Sequence, residues 1–303
     1  MENVRVGTWE MNIGEIKKVN GGIIRALEKF LTREWKEAVL EGVDQPWWSV
    51  QNLGIPSPIV RVDMAPALRA GTVRNYIYEI EVRPGGLGIL LYLMPERIRQ
   101  WKKILSMCKG FVSIESSIQD DKLVTDLLNI PYYEEVPTET EGPYWIRSNQ
   151  RDGKVASLEK ISLVPIKLDG DKTYLVKLKM AEKLDKERFN WFLPFVVKPL
   201  VGSKMKGVEI YLPSALKKEL GAGSSTRSRI LRTISNGEPY IIQRFILPKE
   251  EWKNNIKGWT IWRLFFGWED NKYQFAGGLW NWRPTLRVHG ASDAIMGSIK
   301  IDE

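Results

Sequence analysis

Two short runs hold side chains that could do chemistry together: Arg61-x-Asp63 and Glu79-x-Glu81. Side chains two apart on a strand point to the same face. If the two segments are paired strands, one sheet face carries three carboxylates and a guanidinium at short range. Carboxylates so placed repel one another unless a cation joins them. Oxygen-only ligands suit Mg²⁺, which takes one or two carboxylates and fills its octahedron with water and phosphate oxygens. The plain alternative is an exposed hairpin face with ordinary charges, and the hairpin taken alone favours it.

A second run, Phe195-Val196-Val197-Lys198-Pro199, leads into Leu200-Val201-Gly202-Ser203-Lys204-Met205-Lys206-Gly207-Val208. An apolar strand would place Lys198 at its end, while glycines let backbone N–H groups approach phosphate oxygens closely. The spacing of Gly202 and Gly207 imitates a P-loop, but Val208-Glu209 stands where Lys-Ser/Thr is required, which excludes a Walker A site. Gly85-Gly86-Leu87-Gly88 lacks the dinucleotide spacing. A hairpin turn carrying basic residues explains the Lys198 run equally well when it is taken alone.

His289 is the only histidine and Cys108 the only cysteine, which excludes a His-rich metal site, a Cys-cluster zinc site and an internal disulfide. Ser292 and Asp293 lie beside His289, but a catalytic triad is a spatial arrangement that sequence adjacency does not supply. Paired-carboxylate glycosidase chemistry on Asp63 or Glu79 would leave the Lys198 segment without a role.

The elements that must position these residues follow from periodicity. Ile23 to Leu40 reads as an amphipathic helix with Ile23, Ile24, Leu27, Phe30, Leu31, Trp35 and Val39 on one stripe. Val60 to Met64 and Asn75 to Val82 alternate as strands around a loop containing Pro66 and Gly71. Leu87 to Met94, the longest apolar run, has the length of a buried strand. Pro95 to Cys108 reads as a helix. A strand at Phe111 to Ile114, a helix over about Asp121 to Leu128 and an extended piece at Tyr132 make a small βαβ layer. Thr138 to Lys154 reads as a loop or domain junction, Ile161 to Ile166 as a strand, and Met180 to Phe192 as a helix. Phe195 to Lys198 and Val208 to Leu212 flank a turn, and Pro213 to Leu220 is helical. Tyr240 to Phe245, Trp259 to Trp268 and Tyr273 to Trp282 complete an α+β chain of two or three lobes.

The 303 residues are 43% hydrophobic and include 13 tryptophans, enough for one large core or two to three smaller ones. No apolar run approaches a membrane span, and the first residues do not read as a secretion signal, so a cytoplasmic location without membrane contact is expected. The net charge of +8 attracts polyanions, which fits nucleotide phosphates or a solvated basic face better than a dedicated nucleic-acid groove. The rival reading is a basic, Trp-rich module that grips nucleic acid or a protein without catalysis. Trp47, Trp48, Trp252, Trp259, Trp262, Trp280 and Trp282 would be its stacking platforms, although aromatics alternating along strands are more often core.

In chain order, Arg61-x-Asp63, Glu79-x-Glu81, Val197-Lys198-Pro199-x-x-Gly202-Ser203 and Tyr240-Ile241-Ile242-Gln243-Arg244-Phe245 resemble the glutathionylspermidine synthase-like branch of the ATP-grasp superfamily. The resemblance runs from about Val60 to the C-terminus. In that branch the metal-binding strands precede the nucleotide-binding lysine, a circular permutation of the usual order. Val112-Ser113-Ile114-Glu115-Ser116 through Asp121-Lys122 looks like its Rossmann-like layer. The implied organisation is an N-terminal region with the metal-binding hairpin over 1–90, the Rossmann-like layer over 91–150, and nucleotide-binding lobes over 151–303.

The resemblance implies that Asp63, Glu79 and Glu81 ligate Mg²⁺ and that Arg61 lies near the phosphates. Lys198 would contact the α- and β-phosphates, with Gly202, Ser203 and Gly207 in a lid over the triphosphate. Gln243, Arg244, Phe245 and Ile246 would form the linker whose backbone meets adenine. Lys177 and Lys179 both qualify as the second lysine, with Lys179 slightly preferred. Arg283 and Arg287 would handle an acyl phosphate. The implied activity is an ATP-dependent carboxylate–amine ligase, its partners a small-molecule or peptide carboxylate and an amine acceptor. Two departures stand out. Glu81 occupies a position that is Asn in the family, which adds a negative charge, and the chain is too short for the amidase half of bifunctional members. No residues match those that bind glutathione or spermidine, so these substrates do not carry over.

Overall fold

The computed structural model describes residues 2–6, 9–40, 49–50, 55–69, 72–82, 84–113, 119–135, 143–147, 163, 182–183, 190–200, 208–220, 225–235, 239–286 and 294–302. The first half contains β1 (Glu2–Val6), β2 (Trp9–Ile13), β3 (Lys17–Asn20), α1 (Gly21–Leu40), β4 (Ser49–Val50), β5 (Ile55–Pro56), β6 (Ile59–Arg69), β7 (Thr72–Glu81), α2 (Leu87–Leu93), α3 (Ile98–Ile104), β8 (Phe111–Ser113), α4 (Gln119–Leu128), β9 (Tyr132–Tyr133) and β10 (Trp145–Arg147). The second half adds β11 (Glu182–Lys183), β12 (Phe195–Pro199), β13 (Glu209–Tyr211), α5 (Ser214–Leu220), α6 (Arg227–Ile234), β14 (Tyr240–Arg244), β15 (Glu250–Lys253), β16 (Ile256–Glu269), β17 (Lys272–Arg283) and β18 (Ile295–Asp302). This is a mixed α and β architecture, in line with the α+β expectation.

The scaffold is a nine-stranded mixed sheet ordered β1-β2-β18-β17-β16-β6-β7, with β15 on β16 and β3 on β18. It brings strands from the two ends of the chain together: β18 pairs parallel with β2 and β3, and β16 pairs antiparallel with β6. The β16–β17 hairpin turns through Asp270 and Asn271, both at positive φ, the backbone shape that matches the twist of two paired strands. The core gathers Leu31, Val62, Leu90, Trp101, Phe265, Trp280 and other apolar side chains around this sheet. Ile24, Leu27 and Leu31 of α1 are buried as its stripe requires.

Four sequence readings are corrected. Pro66 lies inside β6 rather than in a loop. Pairing of β6 with β16 stops at Met64, so Pro66, which has no N–H to donate, sits beyond that ladder. Leu87 to Met94 is a helix rather than a strand. Leu87, Leu90 and Leu91 are all buried, so the run shows no polar face from which a period could be read. The Asp120 carboxylate, in the first turn of α4, accepts from the N–H groups of Gly86, Gly88 and Ile89 at 2.8, 3.0 and 3.2 Å and thereby caps this helix. The stretch expected as a loop from Thr138 contains β10, which pairs parallel with β8. In the expected helix from Met180, Glu182–Lys183 instead forms a strand on β14, because pairing overrides local propensity.

The βαβ layer is present, with β8 pairing parallel with β9 across α4 and the sheet ordered β10-β8-β9. A third sheet, β11-β14-β12-β13, holds the expected β12–β13 hairpin and places Lys198 opposite Ile241 of β14.

Candidate functional site

The β6–β7 register puts Arg61 opposite Glu81 and Asp63 opposite Glu79. Cross-strand partners share a face, and one carboxylate oxygen from each of Asp63, Glu79 and Glu81 lies within 4.8 Å of the others. Arg61 is the hub of this centre. Its Nε and Nη2 donate to the two Asp63 oxygens at 2.6 and 2.9 Å, Nη2 pairs with Glu81 at 2.8 Å, and Nη1 donates to the Gly85 carbonyl at 2.7 Å. That carbonyl immediately precedes the Asp120-capped helix, so the helix cap also fixes the guanidinium.

Burial works against the charge on Arg61, but Asp63, Glu81 and Glu79 more than reverse the effect and hold it firmly protonated. Burial pushes the Glu81 carboxyl up to about 7. Arg61 opposes the rise, whereas the Glu79 and Asp63 charges add to it. The set fits Mg²⁺: three oxygen donors converge, their mutual repulsion is what a divalent cation relieves, and each Asp63 oxygen keeps a lone pair beyond its bond to Arg61.

One residue separates the register on the two sides of the centre. Asp63 pairs with Glu79 and Met64 with Ile77, which leaves Tyr78 as the extra residue of a β-bulge on the edge strand β7. The Lys198 Nζ donates to the Tyr78 carbonyl at 3.2 Å, and the Tyr78 hydroxyl donates to the Ile246 carbonyl at 2.5 Å. Lys198 on β12 and the segment after β14 therefore both meet the hairpin at the residue beside Glu79. Within that segment Gln243 is buried in the ladder opposite Val196, Arg244 is exposed, and Phe245 is buried with its N–H bonded to the Pro194 carbonyl at 3.1 Å. An adenine ring using Phe245 or Ile246 backbone groups would exchange these internal bonds for its own.

Arg283 lies at the end of β17, opposite Trp259, on the face that Asn281 shares. Lys177, Lys179, Gly202, Ser203, Gly207 and Arg287 lie outside the described residues, as do His289, Ser292, Asp293, Trp47 and Trp48. Of the remaining stacking candidates, Trp259, Trp280 and Trp282 are buried, Trp262 is half-buried, and Trp252 is 65% exposed. The Trp280 indole donates to the Glu15 carbonyl at 2.9 Å and stands between Lys17 and Lys253, each 4.6 Å from a ring centroid, so it is not a free platform. Among the described residues no helix is long and apolar enough to cross a membrane.

Sequence reading missed Arg263. The β6–β16 ladder sets it directly opposite Asp63, with its Nε 3.8 Å from the Asp63 Oδ2. With the Asn281 amide turned so that its oxygen faces β16, that oxygen accepts from Arg263 Nη1 at 3.3 Å, and its nitrogen donates to the Trp280 carbonyl at 3.1 Å. Burial, and then the neighbouring Arg61, make the charge on Arg263 harder to hold than usual. The visible trace is one arginine within the aromatic run Trp259 to Trp268, two residues from Ile261 and Phe265 on the same strand face.

No family model matches the chain, and no curated protein does either. Among solved structures, the chain is similar to a glutathione synthetase-like effector from Globodera pallida at 10% identity and a TM-score of 0.48, over 98% of this chain and 92% of that one. It is also similar to a candidate gamma-glutamylcysteine synthetase from Methylobacillus flagellatus KT at 12% identity and a TM-score of 0.39, over 93% of this chain and 87% of that one. Likenesses this distant assign no family to the chain.

Proposed function

We propose that the chain is an ATP-dependent carboxylate–amine ligase of the ATP-grasp type that works through an acyl phosphate and releases ADP and phosphate. The observation that carries this reading is the convergence of Asp63, Glu79 and Glu81 beside two guanidiniums, Arg61 buried and Arg263 half-buried, with Lys198 reaching the same hairpin from a second sheet. With Glu81 ionised, three carboxylates against two arginines leave the centre one negative charge, so it suits a cation better than a bare phosphate. Asp63, Glu79 and Glu81 would hold Mg²⁺, which when bound neutralises charge on the transferring phosphoryl group.

The chain's own groups supply the rest. Lys198 would turn from the Tyr78 carbonyl to the α- and β-phosphates, exchanging a neutral backbone partner for a charged one. Arg61 holds Asp63 and Glu81 in place and presents positive potential at the phosphates. Arg283 and Arg287 are the proposed contacts of the acyl phosphate, a group that a planar guanidinium matches in bidentate fashion.

The test is to incubate purified protein with Mg²⁺–ATP and pools of amino acids, peptides and polyamines while measuring ADP and phosphate. ADP should appear only with a suitable carboxylate, and amide only when an amine is also present. Release of AMP and pyrophosphate, or failure to bind Mg²⁺–ATP, would overturn the reading.

A further inference from the structure

Arg263 has a place in the carboxylate centre that needs its own explanation. It faces Asp63 across the β6–β16 ladder, and Asn281 holds its Nη1 from the neighbouring strand β17. Its Nε is buried and meets no hydrogen-bond acceptor in range, because the nearest Asp63 oxygen, which Arg61 also holds, lies 3.8 Å away. A guanidinium hydrogen kept away from both water and a protein acceptor is costly, and such a group is retained where an acceptor arrives with a ligand. Arg61 differs, since its Nε, Nη1 and Nη2 all have protein partners at 2.6 to 2.9 Å. Of the two arginines, Arg263 is thus the one with a donor to offer.

We propose that Arg263 is a specificity-determining contact for the terminal phosphate of the nucleotide and distinguishes a triphosphate from a diphosphate at this centre. This rests on the ligase reading above. Charge balance supports the choice of ligand: a divalent cation on the three carboxylates would turn the centre from one negative charge to one positive charge and draw in a phosphate oxygen beside Asp63. The rigid strand pairing around Arg263 supports it as well, because a fixed guanidinium loses little freedom on contact. A residue serving only to balance the carboxylates would be indifferent to the length of the phosphate chain.

The measurement is calorimetric titration of the full chain with Mg²⁺–ADP and with the Mg²⁺ complex of a β,γ-imido ATP analogue. The parent should prefer the triphosphate analogue. Arg263→Met should lose roughly tenfold or more of the analogue affinity, the scale of one hydrogen bond to a charged group, while ADP affinity stays within about twofold. Arg263→Lys keeps the charge and lacks the planar fork, and it should lose part of the preference. If Arg263→Met does not fold, as judged by its melting transition, Arg263→Lys decides. An unchanged ratio of the two affinities in the folded variant that decides overturns the proposal. Absence of nucleotide binding by the parent would instead remove the ligase reading.

Discussion

Lys198 and Tyr78 are joined by a single bond, 3.2 Å from ammonium to backbone carbonyl, that ties the β12 strand to the bulge beside Glu79. Among the described residues no carboxylate pairs with the ammonium, and the Tyr78 carbonyl dipole is its partner. Lys198→Ala should therefore cost only about 1 kcal/mol of stability, the scale of one hydrogen bond without an ion-pair partner. It should weaken Mg²⁺–ATP binding roughly ten- to a hundredfold, as expected for loss of about 1.5–3 kcal/mol. Paired calorimetry and thermal melts check this, and a parent-like affinity would make Lys198 structural only.

The Tyr78 hydroxyl and the Ile246 carbonyl form the second tie between the same two sheets. Burial raises the phenol well above its ordinary range, so it stays a donor across the working pH range. Tyr78→Phe should cost about 1 kcal/mol of stability, the net value of one buried hydrogen bond. If adenine uses the Ile246 carbonyl, the same substitution should hold or improve ATP affinity. A drop in affinity without a drop in stability would count against that contact.

Removing a donor from the metal centre should separate nucleotide from cation. Glu79→Gln keeps the shape of the side chain and removes one of three converging charges. ATP binding by this variant should lose most of its dependence on Mg²⁺, while the protein stays folded. A folded variant with the parent's Mg²⁺ response would exclude Glu79 as a ligand.

Glu81 predicts a pH dependence with a definite sign. Its folded-state pKa, pushed up to about 7, lies above the ordinary value of 4.5, so the folded protein binds the proton more tightly than the unfolded chain. The stability this contributes is present below about pH 4.5 and is lost as pH rises to about 7. Glu81 keeps 34% of its side chain exposed, which makes the effect smaller than full burial would give. Mg²⁺ competes with that proton, so apparent Mg²⁺ affinity should rise across the same window. Glu81→Gln should flatten both profiles in pH-resolved melts and titrations.

Asp120 couples the helical layer to the centre. Three N–H groups at the start of α2 lose their acceptor in Asp120→Ala, at a cost of about 1–3 kcal/mol for buried donors left unpaired. The Gly85 carbonyl that holds Arg61 sits at the same turn, so ATP affinity should fall along with stability. A loss of stability with unchanged affinity would uncouple the two.

The sequence by itself determined which carboxylates share a face. Alternation at 60–64 and 75–82 has period two, so Arg61 with Asp63, and Glu79 with Glu81, had to project together wherever the hairpin went. The α1 stripe, the β8–α4–β9 layer and the β12–β13 hairpin were legible for the same reason: local periodicity is set by backbone geometry alone. Tertiary structure decided the rest. Leu87 to Leu93 carries no charged or amide side chain on any face, although Tyr92 is exposed, and this erases the periodic mark that separates helix from strand. Two-residue β11 and three-residue β10 owe their existence to strands already waiting for them. Arg263 is 200 positions from Asp63 in the chain, and only the register of β6 against β16 makes them neighbours. A one-residue slip in that register would have sent Arg263 to the opposite face of the sheet.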